Sequence, residues 1–247
     1  ENTTDYSFGK KHRIYSPNHP AELEHVPFNR HQALVTTVTL AYQPGQLFIQ
    51  YPHGKVGIGS KYPVLELEYS KGIADLMGSD VDFDKWKFTV SDKLNLRLGG
   101  EFHYKVSVGG FLNDKRVEIP DFRHFNGNQI VPAQAYLNGF QLAPYYAYSN
   151  TERLYGVMHV EHHFNGLLTN KLPLFNKLKW TLVAGANSFY VNRDNYYVEA
   201  FAGIENILKL IRVDFVAGYQ ALPGNRFGVR LGFGGLLGGA ISGMRNK

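Results

Sequence analysis

Apolar and polar residues alternate one by one along most of this chain, the period of a β-strand with two unlike faces. In DKWKFTVSDKLNLRL the even positions Trp86, Phe88, Val90, Leu94, Leu96 and Leu98 are apolar. The odd positions are Lys85, Lys87, Thr89, Ser91, Lys93, Asn95 and Arg97, and Asp92 is the one break. EFHYKVSVGGFL sets Phe102, Tyr104, Val106, Val108 and Leu112 against Glu101, His103, Lys105, Ser107 and Gly109. KLIRVDFVAGYQ sets Ile211, Val213, Phe215, Ala217 and Tyr219 against Arg212, Asp214, Gly218 and Gln220. RFGVRLGFG does the same with Phe227, Val229, Leu231 and Phe233 against Arg226, Arg230 and glycines. Similar patterns predict strands over 33–43, 63–71, 141–149, 153–164, 177–189 and 196–205, about ten strands in all.

Strand length changes the picture. Soluble sandwiches use strands of ~5–6 residues, whereas a tilted strand crossing a bilayer needs ~9–11, and many of these runs reach about 10–15. One purely apolar face and one face of Lys, Arg, Glu and Gly predict an all-β fold, an antiparallel transmembrane β-barrel. Lipid would meet the first face and a polar lumen the second. Trp86, Tyr104, Tyr190, Tyr196 and Tyr219 stand near strand ends, where an interfacial aromatic girdle belongs. The domain expectation is a polar segment or upstream strand and loop at 1–32, barrel strands at 33–234, and a glycine-rich tail at 235–247. Turn-rich segments fall at 15–31, 71–84 and 113–139; loops of that length usually carry function.

Composition removes several chemistries. Among 247 residues there is no cysteine, so disulfides, thiolate metal sites and cysteine nucleophiles are excluded. The net charge of +5 is spread along the chain, so no nucleic-acid footprint is expected. The chain holds no apolar run of transmembrane-helix length. Its polar opening, ENTTDYSFGKKHR, reads as a mature start or the start of a fragment.

The remaining candidates are constellations of polar side chains. HVEHHF places His159, Glu161 and His163 on one strand face, two imidazoles and a carboxylate of a kind that ligates zinc or iron. Same-face neighbours lie ~6.5–7 Å apart along a strand, so a row of lumen-lining groups ranks ahead of a metal site, and no cofactor is expected. That polar row continues with Arg212, Asp214, Arg226 and Arg230. Asp80, Asp82 and Asp84 have the alternate-oxygen look of a calcium loop without its glycine and glutamate, and read as a solvated turn. GFGGLLGGAISG matches no phosphate-cradling pattern. HFNG occurs twice, at His124–Gly127 and His163–Gly166, and its Asn-Gly predicts a positive-φ turn in both copies.

Several stretches together resemble a known family: YPHGKVGIGSKYPVLELEYSKGI, SDVDFDKWKF, GGFLN, IPDFRHFNGNQ, LAPYYAYSNTERLYGVMHVEHHFNGLLTNKLPLFNKLKW and GIENILKLIRVDFVAGYQ. They cover most of residues 51–220 and are similar to the C-terminal barrel of Bacteroidota outer-membrane proteins of unknown function that carry an N-terminal carboxypeptidase-regulatory-like domain. More remotely, the order of parts is similar to the C-terminal strands of the BamA/TamA superfamily of barrel assembly and translocation proteins. That resemblance implies the C-terminal part of a larger barrel, with Arg123, His124, Phe125, Asn126 and Gly127 as a loop tip folded into the lumen. It implies residence in the outer membrane, contact with its lipid and with other outer-membrane proteins or lipoproteins, and a role in their insertion or translocation. An anion-favouring pore and an outer-membrane hydrolase are the alternative functions.

Overall fold

The computed structural model describes residues 31–128, 130–144, 148–166, 173–220 and 226–233. The fold is all-β. Among the described residues there are eleven strands: β1 (Val35–Tyr42), β2 (Leu47–Tyr51), β3 (Gly54–Gly59), β4 (Val64–Gly72), β5 (Asp82–Asn95), β6 (Glu101–Arg116), β7 (Tyr155–His163), β8 (Thr181–Tyr190), β9 (Tyr196–Ile207), β10 (Ile211–Gln220) and β11 (Arg226–Phe233). Nine of them form one antiparallel sheet in the order β1-β4-β5-β6-β7-β8-β9-β10-β11, and β2 and β3 pair with each other as a separate hairpin. No helix among the described residues is long and apolar enough to cross a membrane.

Apart from the β2–β3 hairpin set between β1 and β4, chain neighbours are sheet neighbours, and the long connection 117–154 joins β6 to β7. β5 and β6, at 14 and 16 residues, form the longest pair. β1 and β11 are the two edges and do not pair with one another, so the nine described strands are not closed as a barrel.

Alternation decides the faces. Along β10 every second residue is buried, with Arg212, Asp214, Val216, Gly218 and Gln220 on the inner side. β9 repeats this with Tyr197, Glu199, Phe201, Gly203 and Glu205. The inner face is polar and buried: Ser70, Thr89, Ser107, His159, Glu161, Asn187, Glu199, Arg212, Asp214 and Arg230 all lie there. The outer face is apolar and exposed, including Leu40, Phe88, Val106, Val198, Phe215, Phe227 and Phe233. Phe227 is 79% and Phe233 70% exposed.

Two expected strands are corrected and one hairpin is added. The strand expected over 141–149 does not form at its described residues 141–144 and 148–149: Gln141–Pro144 belong to an irregular connection whose apolar side chains pack onto the sheet, and Pro144 removes a ladder donor. Residues 177–180 close a short helix, α1 (Pro173–Leu178), so the strand there begins at Thr181. The β2–β3 hairpin was hidden by Pro52, Gly54, Gly57 and Gly59, which break the alternation. The segment 15–30 and the glycine-rich tail 235–247 lie outside the described residues.

Candidate functional site

The connection from β6 to β7, residues 117–154, crosses over the inner face and meets β7 through β11. It leaves β6 through a 3₁₀ turn at Ile119–Asp121, capped by reciprocal bonds between Glu118 and Asp121. Arg123 and Asn150 then exchange both backbone hydrogen bonds, at 2.8 and 3.1 Å, which closes the base of the loop. Beyond this point six apolar residues are buried among the described loop residues: Phe125, Tyr136, Phe140, Leu142, Ala143 and Tyr148. Phe125 stacks flat on Phe189 with centroids 4.1 Å apart, and meets Tyr155 edge-on at 5.8 Å. Burying each such side chain contributes about 1.5–3 kcal/mol before chain entropy is subtracted.

Polar anchors fix where the loop sits. Glu199, fully buried on β9, accepts four hydrogen bonds. Its Oε1 takes the Gln141 backbone N–H at 2.7 Å and Asn187 Nδ2 at 2.8 Å. Its Oε2 takes the Leu142 N–H at 3.0 Å and the Tyr197 hydroxyl at 2.9 Å. Two loop amides that would otherwise be orphaned in the interior are satisfied by one carboxylate. Gln141 also accepts from Arg230 Nε through its carbonyl at 2.7 Å. Further along, the Leu231 N–H donates to the Val131 carbonyl at 3.0 Å, and the Ala133 N–H donates to the Leu231 carbonyl at 2.7 Å. The loop thus lies along the outer edge of β11 as a one-bridge parallel strand.

An ionic cluster fills the other half of the inner face. Arg212 Nε bonds both Asp214 oxygens, at 3.0 and 2.7 Å, and its Nη1 bonds Glu161 Oε1. The guanidinium carbon stands 4.1 Å from the Tyr136 ring centre, and the Tyr136 hydroxyl donates to Asp214 Oδ2 at 2.6 Å. Burial, followed by the Asp214 charge, pushes the Tyr136 phenol far above its ordinary range, so it stays a donor. His163 Nδ1 lies 3.0 Å from Glu205 Oε2. Glu161 pairs with a cation from another strand, as a buried carboxylate must.

The expected site residues fall as follows. Within the loop tip, Phe125 and Gly127 are buried, Arg123 and His124 are half-buried, and Asn126 is exposed. The Arg123 guanidinium rests 4.9 Å from the Tyr155 ring centre. The His124 imidazole, 2.7 Å from Ser149 Oγ, is held below its usual pKa by burial. His159, Glu161, Arg212, Asp214 and Arg230 are buried on the inner face and His163 is half-buried, whereas Arg226 is exposed. His159 does not join Glu161 and His163: its Nδ1 pairs with Asn187 Oδ1 at 3.0 Å and its ring lies against Phe140. His103 on β6 takes that place: one ring nitrogen each of His103 and His163 and a carboxylate oxygen of Glu161 all lie within 4.8 Å of one another. Of the three aspartates expected in a solvated turn, only Asp80 lies outside a strand, accepting from the Gln32 N–H; Asp82 and Asp84 belong to β5, where Asp84 holds Lys71 and Tyr69 and Asp82 holds Asn113.

The two HFNG copies differ. Asn165 and Gly166 both have positive φ, 44° and 88°, the turn the dipeptide predicts. Gly127 has no positive φ. A Cβ there would collide with the Ala143 carbonyl oxygen, so glycine serves a close backbone approach inside the loop. Sequence reasoning missed Glu199, Tyr136, Gln141 and His103. Glu199 had a signal, since YYVEAFAG places a lone carboxylate among Tyr197, Phe201 and Gly203 on one face.

Fold and site define an all-β antiparallel sheet whose polar face is partly covered by its own long connection. Residues 1–204 match the family described as "Family of unknown function (DUF5686) C-terminal domain", and the chain belongs to that family. Comparison with curated proteins and with solved structures gives no match.

Proposed function

We propose that this chain is membrane-embedded wall of an outer-membrane β-barrel, with the 117–154 connection as its internal plug. We propose further that it assists insertion or translocation of other outer-membrane components. The observation that carries the reading is the inversion of polarity between the two sheet faces. Charged and amide side chains are buried inside while Leu40, Phe88, Phe215, Phe227 and Phe233 face outward, which suits hydrocarbon and is costly in water. The plug supports an assembly role over an open pore, since aromatic side chains fill the space a channel would need. The two sheet edges support it as well: β1 and β11 offer backbone groups to which a strand of another protein can add. In this reading the partners are lipid and other outer-membrane proteins or lipoproteins.

Trp86 gives a direct test, because it faces outward opposite Tyr69 and only Trp180 would have to be removed to isolate it. The Trp180→Phe variant, reconstituted into vesicles with brominated acyl chains, should lose most of its fluorescence relative to unbrominated vesicles. Unquenched emission overturns the membrane placement. With placement established, depletion of the protein should lower the folded level of other outer-membrane barrels, and unchanged levels overturn the assembly role.

A further inference from the structure

We propose that His103, Glu161 and His163 form a binding site for one divalent transition-metal ion of the zinc or iron(II) class. The three residues come from two paired strands: His103 lies directly opposite Glu161, and His163 is two residues beyond it on β7. Their ligand atoms lie within 4.8 Å of one another. An ion at ~2.0–2.2 Å from each requires them to close to about 3.3–3.6 Å, a shift within reach of side-chain rotation at the end of a strand. Two imidazoles and a carboxylate suit these ions better than magnesium or calcium, which favour all-oxygen shells.

The surrounding groups have the arrangement that orients metal-binding imidazoles. His163 Nδ1 faces Glu205 at 3.0 Å, so this nitrogen carries a proton and the Nε2 lone pair is directed elsewhere. Nε2 is 3.5 Å from Glu161 Oε2. A lone pair and a carboxylate oxygen facing each other repel unless a cation stands between them, either a second proton or a metal ion. His103 Nε2 is 3.4 Å from Glu101, which Lys93 in turn clasps at 2.7 Å. Arg212 binds Glu161 through Oε1 and leaves Oε2 toward the two histidines. Four carboxylates (Glu101, Glu161, Glu205 and Asp214) face two permanent cations, Lys93 and Arg212. The two negative charges left over match a divalent ion.

Position gives the site access. Glu101 and His163 form the last ladder pair of β6 and β7, and Glu205 pairs with Thr181 at the first position of β8. All lie at the rim away from the point where the 117–154 loop enters, so an ion can arrive without displacing the plug. The same ion would tie β6 to β7 directly and to β9 through Glu205.

Chelator-stripped wild-type protein in detergent, titrated with zinc chloride by calorimetry, should bind one ion. His103→Asn and His163→Gln should weaken binding at least tenfold, and Glu205→Gln ten- to a hundredfold. His159→Asn should leave it unchanged. No heat of binding in the wild type, or full affinity in His103→Asn, overturns the site. X-ray absorption at the zinc edge of the loaded wild type needs no variant. Two nitrogen scatterers at about 2.0–2.1 Å are expected, and an oxygen-only shell overturns the assignment. Neither result depends on where Trp86 sits, so this site and the membrane reading stand or fall separately.

Discussion

Replacing Glu199 with Gln should release the loop while the sheet stays folded. The change keeps size and shape but exchanges one acceptor oxygen for an NH₂ group. Each oxygen takes two donors, so either orientation of the amide sets two donors against a third. The least costly choice puts nitrogen at the Oε2 position, because the Tyr197 hydroxyl can rotate and accept. The Leu142 N–H is then left buried and unpaired, at about 1–3 kcal/mol. The bonds that remain lose their charge assistance, which adds on the order of 1 kcal/mol. The sum of roughly 2–4 kcal/mol corresponds to a roughly thirty- to thousandfold rise in the open population of the loop. Trypsin cleavage after Arg123 reads that population when opening is fast relative to cleavage. A change in rate of less than about threefold, with the sheet intact by circular dichroism, would refute Glu199 as the anchor. Simultaneous loss of loop and sheet would refute their independence.

Other expectations follow from the same geometry. Arg212→Met should cost about 3–5 kcal/mol by leaving Glu161 and Asp214 as buried unpaired charges; a urea unfolding shift below ~1 kcal/mol would contradict the ionic cluster. His124 titrates below its ordinary range because burial disfavours its charged form, so the undocked loop takes up the proton first. Loop docking should be strongest above about pH 6.5 and weaken as pH falls through the lower docked value. His124→Gln should flatten that dependence in hydrogen exchange corrected for intrinsic rates. Ala133→Pro removes the N–H that bonds Leu231 and should expose the β11 edge, seen as self-association in detergent; a monomer with wild-type elution would show the edge guarded by other means.

The sequence makes the faces of each strand legible because a period of two needs only neighbouring residues. His159, Glu161, Arg212 and Arg230 were assigned to the polar face on that ground alone, and they lie on the buried inner side. Their partners were not legible. A spacing rule along one strand sees His159 two residues from Glu161, but not His103, which is directly across the ladder at ~4.5–5.5 Å between Cβ atoms. Glu199 satisfies amides 57 and 58 residues away, a relation that no local pattern encodes. The same blindness turned Gln141–Ser149 into an expected strand. Leu142, Ala143 and Tyr148 of that stretch pack against Phe189, Tyr197 and Phe201 from the loop.

The inner face depends on the loop for part of its polar pairing. Glu199, Asp214 and Arg230 each find a partner on residues 134–142, and a sheet stripped of that segment would leave them to water or unpaired. The loop in turn holds β11, since Gln141 bonds Glu199 through its N–H and Arg230 through its carbonyl, and Val131 and Ala133 occupy Leu231 on the outer edge. In an antiparallel ladder, backbone groups of alternate residues point the same way, so Leu231 is one of a row with Phe227, Val229 and Phe233. Among the described residues, Val131–Ala133 close the Leu231 position of that row. An assembly role at this edge therefore has a built-in condition. Pairing that extends through Leu231 must displace Val131–Ala133, and release at Glu199 makes that displacement easier through Gln141. Glu199→Gln and Ala133→Pro should then be less than additive in exposing the edge, because each removes part of the same restraint.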